Sequence, residues 1–214
     1  MPRRLQPERM ETAPDLEVAE NLRDLARINR WLGGNSVLFS VLDPYLRANP
    51  EATVLDVGAA DGATIRQLRR RYPRATFIAF DAAERFLRMG QGRRVAGNVF
   101  EWPVRRNSVD IVISTLFLHH FTDDQVREIL AAWEETARTA VVAVDLHRHP
   151  LAACFLPATR WIAGWHPITV SDGVISVGAA FTPTELRQLC PRARVRSHPP
   201  WFRLSLDLRV SRLR

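Results

Sequence analysis

Two histidines in tandem, His119 and His120, follow the apolar stretch VDIVIS. A second pair, His147 and His149, flanks Arg148 just after AVVAVD, which ends in Asp145. An imidazole can take a proton near neutral pH, and a nearby carboxylate can fix its orientation. The other chemically loaded stretch is TVLDVGAADG, residues 53–62. Val54, Leu55 and Val57 enclose Asp56, and Gly58, Ala59, Ala60, Asp61 and Gly62 follow. That order reads as a buried strand, a glycine turn and a helix N-terminus, the arrangement that binds nucleotide-type ligands at the carboxyl edge of a sheet. All 30 basic residues are arginine, which excludes Schiff-base and P-loop lysine chemistry.

Two ligands compete for such a turn. The dinucleotide fingerprint is G-x-G-x-x-G/A, and here Gly58, Ala60 and Ala63 occupy its key places. The middle glycine, which lets backbone approach a pyrophosphate, is missing. Asp56 and Asp61 would also repel a pyrophosphate. S-adenosylmethionine carries an ammonium, a sulfonium and no phosphate, so an acidic turn suits it, and the remaining N–H groups can hold its carboxylate.

On these residues the sequence resembles the class I S-adenosylmethionine-dependent methyltransferases. Their first motif runs acidic-x-Gly-x-Gly-x-Gly; Asp56, Gly58 and Gly62 match it and Ala60 replaces the central glycine. The resemblance implies that Asp81, closing TFIAF, accepts hydrogen bonds from the ribose hydroxyls. It also implies that Asn98, standing where the family has an aspartate, reads adenine beside Val99. The strand VDIVIS and its TLFLHHF ending resemble the fourth element of the superfamily. The implied cofactor-binding set is Asp56, Gly58, Ala59, Gly62, Asp81, Ala82, Asn98, Val99, Ser114 and Leu116. The stretch RINRWLG, residues 27–33, looks similar to the leader of the quinone-biosynthesis type, which would bring Asn29, Arg30 and Trp31 to the substrate. A surface arginine and a packed tryptophan is the competing account.

The elements that must position these groups alternate along the chain. Residues 1–14 are polar and proline-punctuated and read as a mobile tail. Leu16, Ala19, Leu22, Leu25, Ala26 and Ile28 recur at helical spacing, and a second helix over 36–47 is expected to bend or restart at Pro44. Strands are expected at 53–57, 76–80, 94–96, 109–114 and 140–144, with helices at 63–72, 83–89 and 123–136, the last capped by Thr122. Residues 147–180 break the rhythm and read as a helix over 151–163 followed by an ordered loop, an aromatic lid that includes Trp161. Thr182 and Glu185 form a capping pair, and strands at 194–197 and 202–209 close the chain. Phe202, Leu204, Leu206 and Leu208 alternate onto one side. The fold class is α/β: a doubly wound, Rossmann-like, mostly parallel seven-stranded sheet with an antiparallel closing strand, the hairpin being implied by the resemblance. Residues 1–50 form a tail and helical lid, and 51–214 the cofactor-binding domain.

Composition sets the remaining bounds. A chain of 214 residues suits one core, and the net charge of +7 comes from scattered arginines. A nucleic-acid methyltransferase is one alternative, but no appended RNA-binding module and no Asn-Pro-Pro-Tyr-type tetrad is visible. A non-catalytic cofactor binder or an NAD-dependent enzyme is another. Cys154 and Cys190 have no metal-ligand spacing, so reduced thiols and no metal are expected. The longest apolar run is broken by Pro157 and Arg160, so no membrane span is expected, and a cytoplasmic location follows. The favoured function is methyl transfer to oxygen or carbon of a small aromatic or lipid-like acceptor. His119 or His120 would be the base, with one facing the cleft and the other turned away. Asp145 could orient a histidine, and Arg148 could bind an anionic substrate group. The sequence is silent on oligomeric state.

Overall fold

The helix leading the chain, α1 (Asp15–Trp31), is followed directly by α2 (Gly34–Ala48). Then β1 (Thr53–Val57), α3 (Ala63–Arg71), β2 (Thr76–Asp81), α4 (Glu84–Met89), β3 (Arg93–Ala96) and β4 (Val109–Thr115) alternate. The second half runs α5 (Asp123–Thr136), β5 (Ala137–Leu146), α6 (Pro150–Ala163), α7 (Pro167–Ala179), α8 (Pro183–Leu189), β6 (Arg194–His198) and β7 (Arg203–Arg209). The computed structural model describes residues 1–210, so the last four residues of the expected 51–214 unit lie outside the described residues.

The seven strands form one sheet in the order β3-β2-β1-β4-β5-β7-β6. The first five pair in parallel, and β7 runs antiparallel to both β5 and β6. This is the doubly wound sheet with an antiparallel closing strand that the alternation predicts. Strand order reverses between β1 and β4, and ligands settle at the carboxyl ends of the strands on either side of such a point.

Alternation along the strands feeds two cores. Leu55, Val57, Val112, Val141 and Leu204 pack under α5 and α8, around Trp133. Val54, Ile111, Ile113 and Val142 pack under α2 and α3, against Leu38, Leu42 and Leu68. α5 starts with a capping box of Thr122 and Gln125, and α8 with one of Thr182 and Glu185. Such a cap contributes about 1 kcal/mol by giving orphan N–H groups a partner. The edge strand β3 is short and exposed throughout, with Arg93 and Arg94 in it, which guards an open edge against pairing with other chains.

Four expectations need correction. α2 runs unbroken through Pro44, because Leu38, Leu42 and Leu46 keep one stripe buried on the sheet. The expected loop after residue 163 is a helix, α7, capped by His166 with Pro167 at its first position. Its β-branched residues and two glycines hide it from propensity. Gly173 is there for close approach: a Cβ would sit 2.3 Å from Leu156 of α6. Phe202 lies outside β7 with φ of 47°, so the clean alternation starts at Leu204. The first fourteen residues are not loose. Asp172 on α7 accepts from the Arg9 and Met10 amides, each at 3.0 Å, and Arg3 donates to Ala179 O at 2.7 Å and Phe121 O at 2.6 Å. Among the described residues no helix is long and apolar enough to cross a membrane.

Candidate active site

A cavity of about 770 Å³ opens at the carboxyl ends of β1, β2, β4 and β5. One side is the turn after β1: Gly58, Ala59, Ala60, Asp61, Ala63 and Thr64, with Asp81 and Ala82 from the end of β2. The opposite side is Thr115, Leu116, Phe117, His119, His120 and Phe121, with Leu146 and the β6–β7 turn. The N-terminal arm, α1, α6 and α7 cover it through Glu8, Asn29, Phe155, Asp172 and Ser176. Three of the four non-glycine residues with positive φ among the described residues, Ala60, Leu116 and Phe202, line this cavity. Backbone strain collected in one place is held there by the surrounding packing and marks a functional site.

The glycine turn is built for close contact and uses most of its own donors. Gly58 has φ of 74°, and a Cβ there would lie 2.4 Å from the Phe117 ring. The Gly58 and Ala59 amides donate to Phe80 O at 2.9 and 3.1 Å, and the Ala60 amide to Asp81 Oδ2 at 2.9 Å. Gly62 donates to Ala59 O at 2.8 Å and Ala63 to Asp61 Oδ1 at 3.1 Å. Few amides are left to cradle a pyrophosphate; those of Asp61 and Thr64, both lining the cavity, have no acceptor among the described residues and are the ones open to a ligand carboxylate. Asp81 is fixed by the Ala60 amide and by the Ala83 amide at 2.8 Å, and its carboxyl group faces the cavity. Burial raises its pKa above the ordinary carboxylate value.

The acidity of the turn is narrower than its sequence suggests. Asp56 does not line the cavity; by strand alternation it points under α2 and α3, where both its carboxyl oxygens are buried without partners. Burial, with Asp81 adding to it, pushes its pKa up to about 8. Asp61 is paired with Arg66 at 2.6 Å.

Across the cavity the two histidines meet. Their rings stack at 4.3 Å between centroids, so both face the cleft, not one alone. His119 Nδ1 lies 2.6 Å from Asp145 Oδ1, and its backbone N–H donates to Asp145 Oδ2 at 3.1 Å. Its Nε2 lies 3.7 Å from Glu8 Oε1, which also accepts from the Ser176 hydroxyl. Burial opposes a charge on His119, but Asp145 and Glu8 outweigh it and hold its pKa up at about 9. His120 goes the other way: burial, then the charge on His119, lowers it. Two neighbouring groups driven apart in this manner are suited to different roles in proton transfer. Glu8, His119 and His120 bring one potential ligand atom each within 4.8 Å of one another and could draw in a cation, although the carboxylate–imidazolium pairing already accounts for their closeness.

Of the residues singled out from sequence, Gly58, Ala59, Asp81, Ala82, Leu116, His119, His120 and Asn29 are brought to this cavity. The others are not. Gly62 turns the chain at the N-terminus of α3 with φ of 73°, facing away. Asn98 is exposed and accepts from the Phe100 amide in a local turn, and Val99 is packed in the core. Ser114 is buried with its hydroxyl unpartnered. Arg30 is at the surface, and Trp31 lies under the Arg27 guanidinium outside the cavity. Trp161 is 85 % exposed. Arg148 is buried as a tie, donating to Ala180 O at 2.6 Å, to Met1 O at 3.0 Å and to Glu185. The sequence reading missed Glu8, Phe117, Phe121, Asp172, Ser176, Trp201 and Arg203. Only Phe117 and Phe121, within two residues of the histidine pair, had a positional signal.

A parallel sheet with a glycine turn after its first strand, an acidic residue closing the second and a histidine pair after the fourth defines a class. Residues 54–140 match the family described as methyltransferase domain. The malonyl-[acyl-carrier protein] O-methyltransferase 1 of Coxiella burnetii is 31 % identical over 81 residues, which are 38 % of this chain and 28 % of that enzyme. The aligned part therefore spans under a third of that relative. The plantazolicin methyltransferase BpumL, solved with S-adenosylhomocysteine, shares the fold at a TM-score of 0.69 and 12 % identity, over 94 % of this chain and 93 % of that one. The magnesium protoporphyrin IX methyltransferase of Synechocystis PCC 6803 follows at a TM-score of 0.55 and 16 % identity, over 84 % of each chain. Residues 54–140 are thus similar to the methyltransferase domain, and the chain shares the fold of methyltransferases solved with S-adenosylhomocysteine.

Proposed function

We propose that the chain transfers the methyl group of S-adenosylmethionine to an oxygen or carbon of a small, apolar or aromatic acceptor held in the cavity. The donor set suits the cofactor: Asp81 faces the cavity with lone pairs open to a ribose diol, and Gly58, whose positive φ and contact with Phe117 only glycine allows, presents bare backbone beside it. When bound, the cofactor supplies a methyl group on a sulfonium, a leaving group that needs no acid from the protein. Asp81, Ala82, Gly58, Ala59 and Leu116 would hold it. His120, kept neutral beside a charged neighbour, takes the acceptor proton. His119 is a positioning residue: Asp145 and Glu8 fix its charge, and that charge adds to burial in keeping the His120 pKa low. The arm, α1, α6 and α7 exclude water as a lid. Phe117, Phe121, Phe155 and Trp201 give the acceptor side an aromatic wall, which supports an apolar acceptor.

The observation that carries this reading is the stacked His119–His120 pair facing the same cavity as the Gly58 turn and Asp81. A small-molecule acceptor is also favoured over nucleic acid because many surface arginines are paired, among them Arg71 with Asp43, Arg106 with Glu135 and Arg192 with Glu134. Calorimetric titration with S-adenosylhomocysteine and with NAD tests it, followed by methyl-label transfer to a panel of phenols and quinone precursors. Binding of S-adenosylhomocysteine alone is expected. Binding of NAD without S-adenosylhomocysteine would overturn the reading.

A further inference from the structure

Arg203 is a buried cation without a hydrogen-bonded or ion-paired partner among the described residues. It opens β7, pairs across the sheet with Leu146, lines the cavity and is 4 % exposed. No hydrogen bond or ion pair reaches its guanidinium among the described residues, and its Nε is buried without a partner. Burial pulls its pKa down to about 10, with Asp145 opposing, so it stays charged at neutral pH. Asp145 is turned to other partners: Oδ1 lies 2.6 Å from His119 Nδ1 and accepts from Leu146 N at 2.7 Å, Oδ2 accepts from His119 N, and among the described residues no hydrogen bond or ion pair joins it to Arg203. The contrast with Arg148 is instructive, since that buried guanidinium is fully tied to carbonyls and a carboxylate. A buried charge left unpaired is costly, and a cavity that retains one is built for a ligand that brings the opposite charge.

We propose that Arg203 is the anion-binding residue of the acceptor side, and that the acceptor is an organic acid whose carboxylate sits on this guanidinium. Its apolar body then lies against Trp201, Phe202 and Phe117. The proposal rests on the methyltransferase reading for which ligand is the acceptor. Position separates that acceptor from the cofactor. The Gly58 turn follows β1, and β7 is three strands away, about 14 Å at the spacing of paired strands. Guanidinium matches carboxylate in a bidentate manner, which would also fix the orientation of the acceptor relative to His120.

The test uses the full chain and two matched probes, benzoate and benzamide, titrated calorimetrically with S-adenosylhomocysteine present. The wild type is expected to prefer benzoate by about tenfold, as a charge-assisted pair allows. Arg203→Met should abolish the preference, and Arg203→Lys should keep part of it, with S-adenosylhomocysteine affinity unchanged in both. Equal binding of the two probes by the wild type, or a preference that survives in Arg203→Met, overturns the proposal. A loss of S-adenosylhomocysteine affinity with the benzoate preference intact would assign Arg203 to the cofactor's own carboxylate and overturn the acceptor assignment. If the wild type does not bind S-adenosylhomocysteine, the methyltransferase reading fails, while benzoate titration of the free protein still decides whether Arg203 takes a carboxylate. Should Arg203→Met not fold, the Arg203 Nε–H resonance of the wild type decides: it shifts with benzoate and not with benzamide, or the proposal falls.

Discussion

His119 and His120 stack with ring centroids 4.3 Å apart, and only His119 is tied to a carboxylate at hydrogen-bond distance. One charge therefore excludes the other. Nuclear magnetic resonance titration should show His119 losing its proton near pH 9 and His120 losing its proton below the ordinary 6.5. Turnover should rise as pH climbs through the lower value, where the base becomes free, and hold across the upper one, since His120 stays neutral there. His120→Ala should lower turnover by about 10²–10⁴-fold with cofactor affinity nearly intact. Equal losses of turnover and affinity would make the residue a shaper of the pocket.

Asp81 holds two backbone amides and still faces the cavity. Asp81→Ala should weaken S-adenosylhomocysteine binding by about 1–3 kcal/mol, the worth of hydrogen bonds to a charged group. Calorimetry measures it directly, and an unchanged dissociation constant would remove the ribose role.

The arm is pinned by Asp172, which receives two main-chain donors from it. Asp172→Ala leaves both without an acceptor, a local loss of about 1–3 kcal/mol. Amide hydrogen exchange at Arg9 and Met10 should accelerate while the strands keep their protection.

Asp56 makes stability depend on pH. Its carboxyl ionises near 3.9 when unfolded, a typical value, and at about 8 in the fold. Between those values the folded state holds the extra proton. The contribution is thus complete below pH ~4 and is lost as pH rises through about 8, roughly 5–6 kcal/mol in all. Asp56→Asn should flatten this dependence and raise the urea midpoint at pH 8 relative to wild type. Identical slopes in the two proteins would mean the carboxyl is solvated.

The sheet was legible because each parallel strand is a short, densely apolar run and each turn is marked by glycine, aspartate or threonine. The turn side of the cavity was legible in part: Gly58 and Asp81 sit where a strand ends, and position there follows from order along the chain. Asp56 and Ser114 misled because a polar residue in an apolar run can point into the body of the protein as readily as into the cleft, and Arg148 because Met1, Ala180 and Glu185, distant in sequence, take up its guanidinium. Glu8 and Arg203 were invisible for a different reason. They are distant from the motifs in sequence and reach the cavity only because the arm folds back and β7 inserts beside β5. Helix α7 was missed because its packing against α6 overrides poor local propensity.

Gly58 and Phe117 share one small volume, and Phe117 in turn stacks on Trp133 and meets Phe121 edge-on. Anyone wishing to broaden the range of compounds the cavity accepts should leave Phe117 alone, since whittling it down would slacken the Gly58 turn as well. Phe155 and Trp201, on the far wall and outside that stack, are the places to redesign.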